Sequence, residues 1–225
     1  MLPKATALDA QLMLGLPPHI TAATGMDALT HAVEAFLNRW PHPETRSLCV
    51  SAVRLNFENL PRAYEDGEAL EAREATALAS LYAGLAFTKA YVGYVHAFSH
   101  KLGGTYGVPH GLCNAIVLPY VLDFVKDSGY ARARLAELAL AIGAGNESER
   151  PEILAQRFID RVRELNKMFG VPKEIAALTV SDLSTVARAA MVEASRDYPV
   201  PKVMTLEEAE ALLRRMLPTE SPARA

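Results

Sequence analysis

The chain has two cysteines in 225 residues, Cys49 and Cys113, too few for a disulfide framework or a cysteine-rich zinc site. Nor is there an excess of basic charge. Its 23 lysines and arginines against 26 acidic residues leave a net charge of −3 and a pI of about 6.1. That balance favours neither nucleic acid nor an anionic membrane as a partner. At the N-terminus, MLPKATALDAQ places Lys4 and Asp9 where a signal peptide needs an apolar core, so a cytoplasmic setting is the default expectation. One long run, between Lys101 and Asp123, has no charged residue. Gly103, Gly104, Gly107, Pro109, His110, Gly111, Asn114 and Pro119 would break or polarise a membrane span there. The run reads as a buried loop and helix start beside a site, with glycines that let backbone approach a ligand.

What the chain does have is apolar residues, half of the total, which is enough to bury a real core. They recur at three- and four-residue intervals over 28–40, 48–60 and 70–95, with breaks at 41–43, Pro61 and Gly67, so three substantial helices are expected. The third carries Ala72, Ala75, Ala79, Ala83, Gly84 and Ala86, small residues that let neighbouring helices come close. Pro109 suits the first position of a further helix through Cys113, Asn114 and Val117, with His110 projecting from its first turn. Beyond Asp127 charges alternate, and peripheral helices are expected near 130–142, 151–169, 180–194 and 205–216, the last opened by a Thr205–Glu208 capping box. The expected organisation is all-α: an extended N-terminal segment over 1–16, a helical domain over 17–217 and a disordered tail over 218–225.

The residues that carry chemistry are Asp27, His31, His96 and His110. Asp27 and His31 lie four apart in TGMDALTHAVEAF, so a helix puts both on one face. His96 and His100 repeat that step in YVHAFSHKLGGTYGVPHG, and His110 follows ten residues later. Each piece has a plainer reading. Thr24 to Asp27 has the spacing of a capping box, and His31 has Asp27 and Glu34 within helical reach as ion-pair partners. Taken together they point elsewhere: three of six histidines fall within 96–110, which holds no acid and only Lys101 as a charge. One carboxylate and three imidazoles suit iron(II), zinc, manganese or cobalt, and four protein ligands leave room for an exchangeable fifth.

The runs TGMDALTHAVEAF, AREATALASLYAGLAFTKAYVGYVHAFSHKLGGTYGVPHGLCNAIVLP and VMTLEEAEALLRRM resemble the C-terminal half of the iron-containing (group III) alcohol dehydrogenases, over roughly residues 9–216. The resemblance implies a helical bundle like the C-terminal domain of the iron-containing alcohol dehydrogenase and dehydroquinate synthase-like fold. It implies Asp27, His31, His96 and His110 as ligands of a catalytic metal, Fe(II) first and Zn(II) second. His100 falls near the nicotinamide and substrate, where it helps move the proton. NAD or NADP is the implied cofactor and a small alcohol or aldehyde the substrate. Nothing here resembles the family's glycine-rich GGGS-type turn, which binds the dinucleotide pyrophosphate in its first domain. The resemblance therefore covers a metal-binding half, and the expected protein partner is a second copy of the chain or a separate dinucleotide-binding polypeptide. Two alternatives stand beside this reading: a metal-binding module without dehydrogenase activity of its own, and, with less support, a helical metal-dependent hydrolase, since no adjacent His-Asp pair occurs.

Overall fold

The computed structural model describes residues 3–40 and 42–219. Those residues contain nine α-helices and no strand: α1 Pro18–Leu37, α2 Pro43–Glu65, α3 Leu70–Ala90, α4 Tyr94–Tyr106, α5 His110–Val125, α6 Gly129–Ala141, α7 Pro151–Met168, α8 Leu183–Asp197 and α9 Leu206–Arg214. The all-α expectation is met. α1, α2 and α3 pack on one another, α5 lies against α1 and α4, and α6 to α9 flank this centre. One continuous core joins them, from Met26 and Leu29 through Phe98 and Leu118 to Phe158 and Leu213.

Small residues set the spacing. Ala72, Ala79, Ala83, Ala86 and Ala90 are buried along α3, while a Cβ at Gly25 would lie 2.3 Å from Leu60 of α2. Arg73, 1% exposed, ties the N-terminal segment down. Its guanidinium donates to Thr21 Oγ1 at 2.6 Å, the Leu16 carbonyl at 3.2 Å and the Gly67 carbonyl at 3.1 Å. A single 3-10 turn, Ala10–Met13, interrupts the segment read as extended over 1–16. At the other end Thr219 is bonded to Glu174, and residues 220–225 of the 218–225 tail lie outside the described residues.

Several boundaries differ from the sequence reading. α1 starts at Pro18, ten residues before the expected helix at 28–40, because Pro17 and Pro18 preset its first turn. Thr24 is consequently inside the helix, where its hydroxyl donates to the Ile20 carbonyl at 2.8 Å, and the Thr24–Asp27 capping box does not form. α2 runs through Pro61 to Glu65. The helix expected over 70–95 ends at Ala90, and Tyr91, at φ 62°, and Gly93 turn the chain into α4. Gly103 and Gly104, read as loop, are helical in α4, and only 107–109 separate it from α5. The uncharged run is uncharged because α5 threads the middle of the bundle, with Cys113, Ile116, Leu118 and Leu122 buried. The Thr205–Glu208 capping box forms. No helix among the described residues is long and apolar enough to cross a membrane.

Candidate metal centre

Three helices bring the site together, and α1 does most of the positioning. Asp27, His31 and Glu34 lie along one side of it, at steps of four and three residues. Near its end Asn38, 2% exposed, donates to the carbonyls of Ala90, Tyr91 and Val92 at 2.9, 3.2 and 2.9 Å. One turn earlier Glu34, 4% exposed, accepts the backbone N–H of Gly93 at 2.9 Å and of Val95 at 2.7 Å. Two side chains of α1 thus hold both sides of the turn that launches α4, and they hold Tyr91 in its unfavourable backbone conformation. A Cβ at Gly93 would meet Glu34 Oε1 at 2.8 Å, so a side chain here would displace the carboxylate from its hydrogen bonds.

Glu34 also takes His96 Nδ1, at 2.6 Å. A carboxylate accepts only, so His96 carries its proton on Nδ1 and presents the Nε2 lone pair to the opposite side. That lone pair faces Asp27, whose Oδ1 is 3.8 Å from His96 Nε2 and 3.3 Å from His110 Nε2. One donor atom from each of Asp27, His96 and His110 lies within 4.8 Å of the others. The close approach of α5 rests on Gly111, where a Cβ would sit 2.2 Å from the Ala23 carbonyl oxygen of α1.

His31 stands beside this set rather than within it. Its Nδ1 is 3.6 Å from Asp27 Oδ2, and its ring stacks on Phe87 and lies tilted against His96, both at 4.3 Å. Burial, reinforced by the neighbouring His96, lowers its pKa to about 4, so the ring is neutral near pH 7 with a lone pair to offer. Burial also lowers the pKa of His110. His100 lies outside the cluster, stacked on His110 at 5.4 Å, with Nδ1 2.7 Å from Glu193 Oε1. Burial alone would raise the Glu193 pKa, but hydrogen bonds from Lys101, Tyr198 and His100 outweigh it and hold the carboxyl below its ordinary value. A cavity of about 430 Å³ opens beside these rings, walled by Phe87, Tyr91 and Val92.

The arrangement fits a divalent metal. Two ring nitrogens and a carboxylate oxygen converge, and Asp27 has no lysine or arginine ion-pair partner among the described residues. These acceptors share a single amide donor, Asn114 Nδ2 at 2.5 to 3.1 Å, and a nitrogen and oxygen set of this kind suits iron(II) or zinc(II). The profile of the Fe-containing alcohol dehydrogenase family, C-terminal, matches residues 21–217. The chain belongs to this family.

Among relatives of the iron-containing alcohol dehydrogenase family, alcohol dehydrogenase 4 of Saccharomyces cerevisiae is 37% identical over 215 residues, covering 95% of this chain and 54% of the relative. The NAD-dependent methanol dehydrogenase of Bacillus methanolicus is 34% identical over 217 residues, 96% of this chain and 56% of the relative. The solved alcohol dehydrogenase from Oenococcus oeni superposes with a TM-score of 0.87 at 33% identity, over 92% of this chain and 54% of that one. The chain spans about half the length of the curated relatives it matches.

Sequence reading did not find all of the site. Glu34 was considered only as an ion-pair partner of His31, although it lies seven residues after Asp27 on the same helix side. Asn114, four residues after His110, reads in the sequence only as a helix position and as a polar residue against a membrane span. Glu193, 93 residues beyond His100, left no local signal.

Proposed function

We propose that this chain supplies the metal-binding half of an alcohol dehydrogenase that interconverts an alcohol and an aldehyde with NAD or NADP. Asp27, His96 and His110 hold the metal, iron(II) in preference to zinc(II), with His31, which stands beside them, as the fourth ligand. The observation that carries this is the convergence of Asp27 Oδ1, His96 Nε2 and His110 Nε2 beside a cavity of about 430 Å³, in a chain of the iron-containing family. The NAD dependence in the name of the Bacillus methanolicus relative supports the choice of cofactor class.

When bound, the metal polarises the alcohol or aldehyde oxygen and the nicotinamide takes or gives the hydride. The chain's own residues prepare that chemistry. Glu34 keeps the Nε2 lone pair of His96 turned inward, and burial keeps His31 neutral. Phe87, Tyr91 and Val92 present an apolar wall to a short alkyl chain. His100, with a side chain 42% exposed, takes the hydroxyl proton and passes it to solvent, and Glu193 at its Nδ1 stabilises the charged ring. The two buried free thiols, Cys49 and Cys113, agree with a reducing, cytoplasmic setting.

The test is metal analysis of the purified chain together with oxidation of short primary alcohols in the presence of NAD or NADP. One equivalent of metal is expected, with turnover weak or absent in the isolated chain and restored when a dinucleotide-binding half is supplied. Metal without turnover even then would favour the binding-module alternative, and failure to bind Fe²⁺ or Zn²⁺ would overturn the reading.

A further inference from the structure

We propose that Asn114 is a positioning residue of the metal centre, holding Asp27 through one carboxylate oxygen so that the other donors meet it in register; the inference rests on the metal-site reading above. Asn114 is fully buried on α5, one turn after His110 and on the same side. Its Nδ2 is 2.5 Å from Asp27 Oδ1, 3.1 Å from His96 Nε2 and 3.1 Å from His110 Nε2. Its Oδ1 is buried without a partner. The orientation of the amide follows from its surroundings, because a carbonyl oxygen turned toward three acceptors would be repelled by all of them.

The three contacts are not equivalent. An amide nitrogen has two hydrogens, so it reaches three acceptors only by sharing one hydrogen between two of them, as at Asn38, and the shared contacts are weaker. A neutral imidazole nitrogen has a single lone pair, so a metal that draws on His96 Nε2 and His110 Nε2 takes the whole of what Asn114 touches there. A carboxylate oxygen has lone pairs to spare and serves a metal and an N–H donor at once. The short bond to Asp27 Oδ1 is therefore the contact compatible with metal binding. It fixes the half-buried carboxylate, which the 3.6 Å contact from His31 to its other oxygen holds only loosely.

The test uses the 225-residue chain, wild type and Asn114→Leu, a size-matched change that removes the donor. Wild type is titrated first with Zn²⁺. Absence of binding there would overturn the metal-site reading itself, before any variant is considered. With wild type binding, Asn114→Leu is expected to retain its helical circular dichroism, bind Zn²⁺ about 10- to 100-fold more weakly, and shift the visible absorption bands of bound Co²⁺. Equal Zn²⁺ affinity and superimposable Co²⁺ spectra would overturn the proposal while leaving the metal site standing. Should the leucine variant misfold, ¹⁵N-labelled wild type decides. One Asn114 side-chain N–H should stay protected from solvent exchange in the Zn²⁺-loaded protein, and exposure of both would overturn the proposal.

Discussion

The two ends of α5 solve opposite problems. At its N-terminal end His110, Gly111 and Asn114 press against α1 without a charged residue of their own, and Gly111 lets the backbones touch. At its C-terminal end Asp123 collects Arg163 of α7 at 2.6 Å, Arg215 at 3.1 Å and Lys126 at 3.1 Å. The first end is specified by shape and by directed lone pairs, where a single atom in the wrong place has nowhere to go. The second is specified by charge, shared among flexible side chains that can rearrange. Asp123 is nine positions beyond Asn114, or roughly 14 Å along the helix. Substitutions at the two ends should therefore differ in kind as well as in size.

The sharpest separation is expected from Gly111→Ala. The new methyl would sit 2.2 Å from the Ala23 carbonyl oxygen and 2.7 Å from its carbon, both backbone atoms that no side-chain rotation can clear. α5 has to move away from α1, at a cost of about 3 kcal/mol measured by urea unfolding. His110 and Asn114 move with it, so metal affinity should fall in the same variant. Unchanged stability would show that the two helices can part freely and would break the contrast between the ends.

Next in size is the pair His110→Ala and His100→Ala. His110 contributes Nε2 to the converging set, whereas His100 stacks on it from outside and bonds to Glu193. Metal analysis should find most of the metal lost in His110→Ala and nearly all retained in His100→Ala, with turnover slowed in the latter. Equal metal loss in both would place His100 among the ligands.

How much of this was legible in the sequence follows the same division. The helical class was readable because α7 repeats its buried stripe, Leu154, Phe158, Ile159, Val162 and Leu165, at helical intervals. The ligand candidates were readable because His96 and His100 repeat the spacing of Asp27 and His31 in an uncharged setting. The break after Ala90 was not, because its cause is distant. Asn38 and Glu34, 52 to 61 residues earlier, take the polar groups of the turn, and no local signal in the alanine-rich stretch announces that. The start of α1 was missed for the opposite reason, since the apolar pattern is weak there and the two prolines set the helix going. The contacts of Asn114 with Asp27, 87 residues apart, needed the packing of α5 on α1 to appear.

A smaller effect is expected from Glu34→Gln. The amide keeps the size of the side chain, but it has one acceptor oxygen where the carboxylate has two, so it cannot serve His96 Nδ1, Gly93 N–H and Val95 N–H together and, being neutral, holds the ring's tautomer less firmly. Metal affinity should drop roughly 10-fold or more, within the range for partners of metal-bound histidine. Because Glu34 also accepts from Gly93 and Val95, the start of α4 should exchange its amide hydrogens faster. Slower metal loss than wild type in a chelator challenge would contradict the role given to Glu34.

The smallest effect belongs to the far end of α5, and it should differ in its pH dependence. Burial pushes the Asp123 pKa up, but hydrogen bonds from Arg215, Lys126 and Arg163 outweigh it and hold the carboxyl below its ordinary value. A carboxyl with a depressed folded-state pKa contributes stability above its unfolded pKa of about 4 and loses that contribution as pH falls further. Asp123→Asn removes the ionised form at every pH. The variant should be less stable than wild type at pH 7 by about 1 kcal/mol, a modest figure because the arginines around it are partly solvated. The difference should shrink as both proteins are unfolded at successively lower pH, and metal affinity should stay at the wild-type level throughout. A stability gap that persists unchanged into acid would mean that Asp123 acts through packing rather than charge, and the two ends of α5 would then be alike.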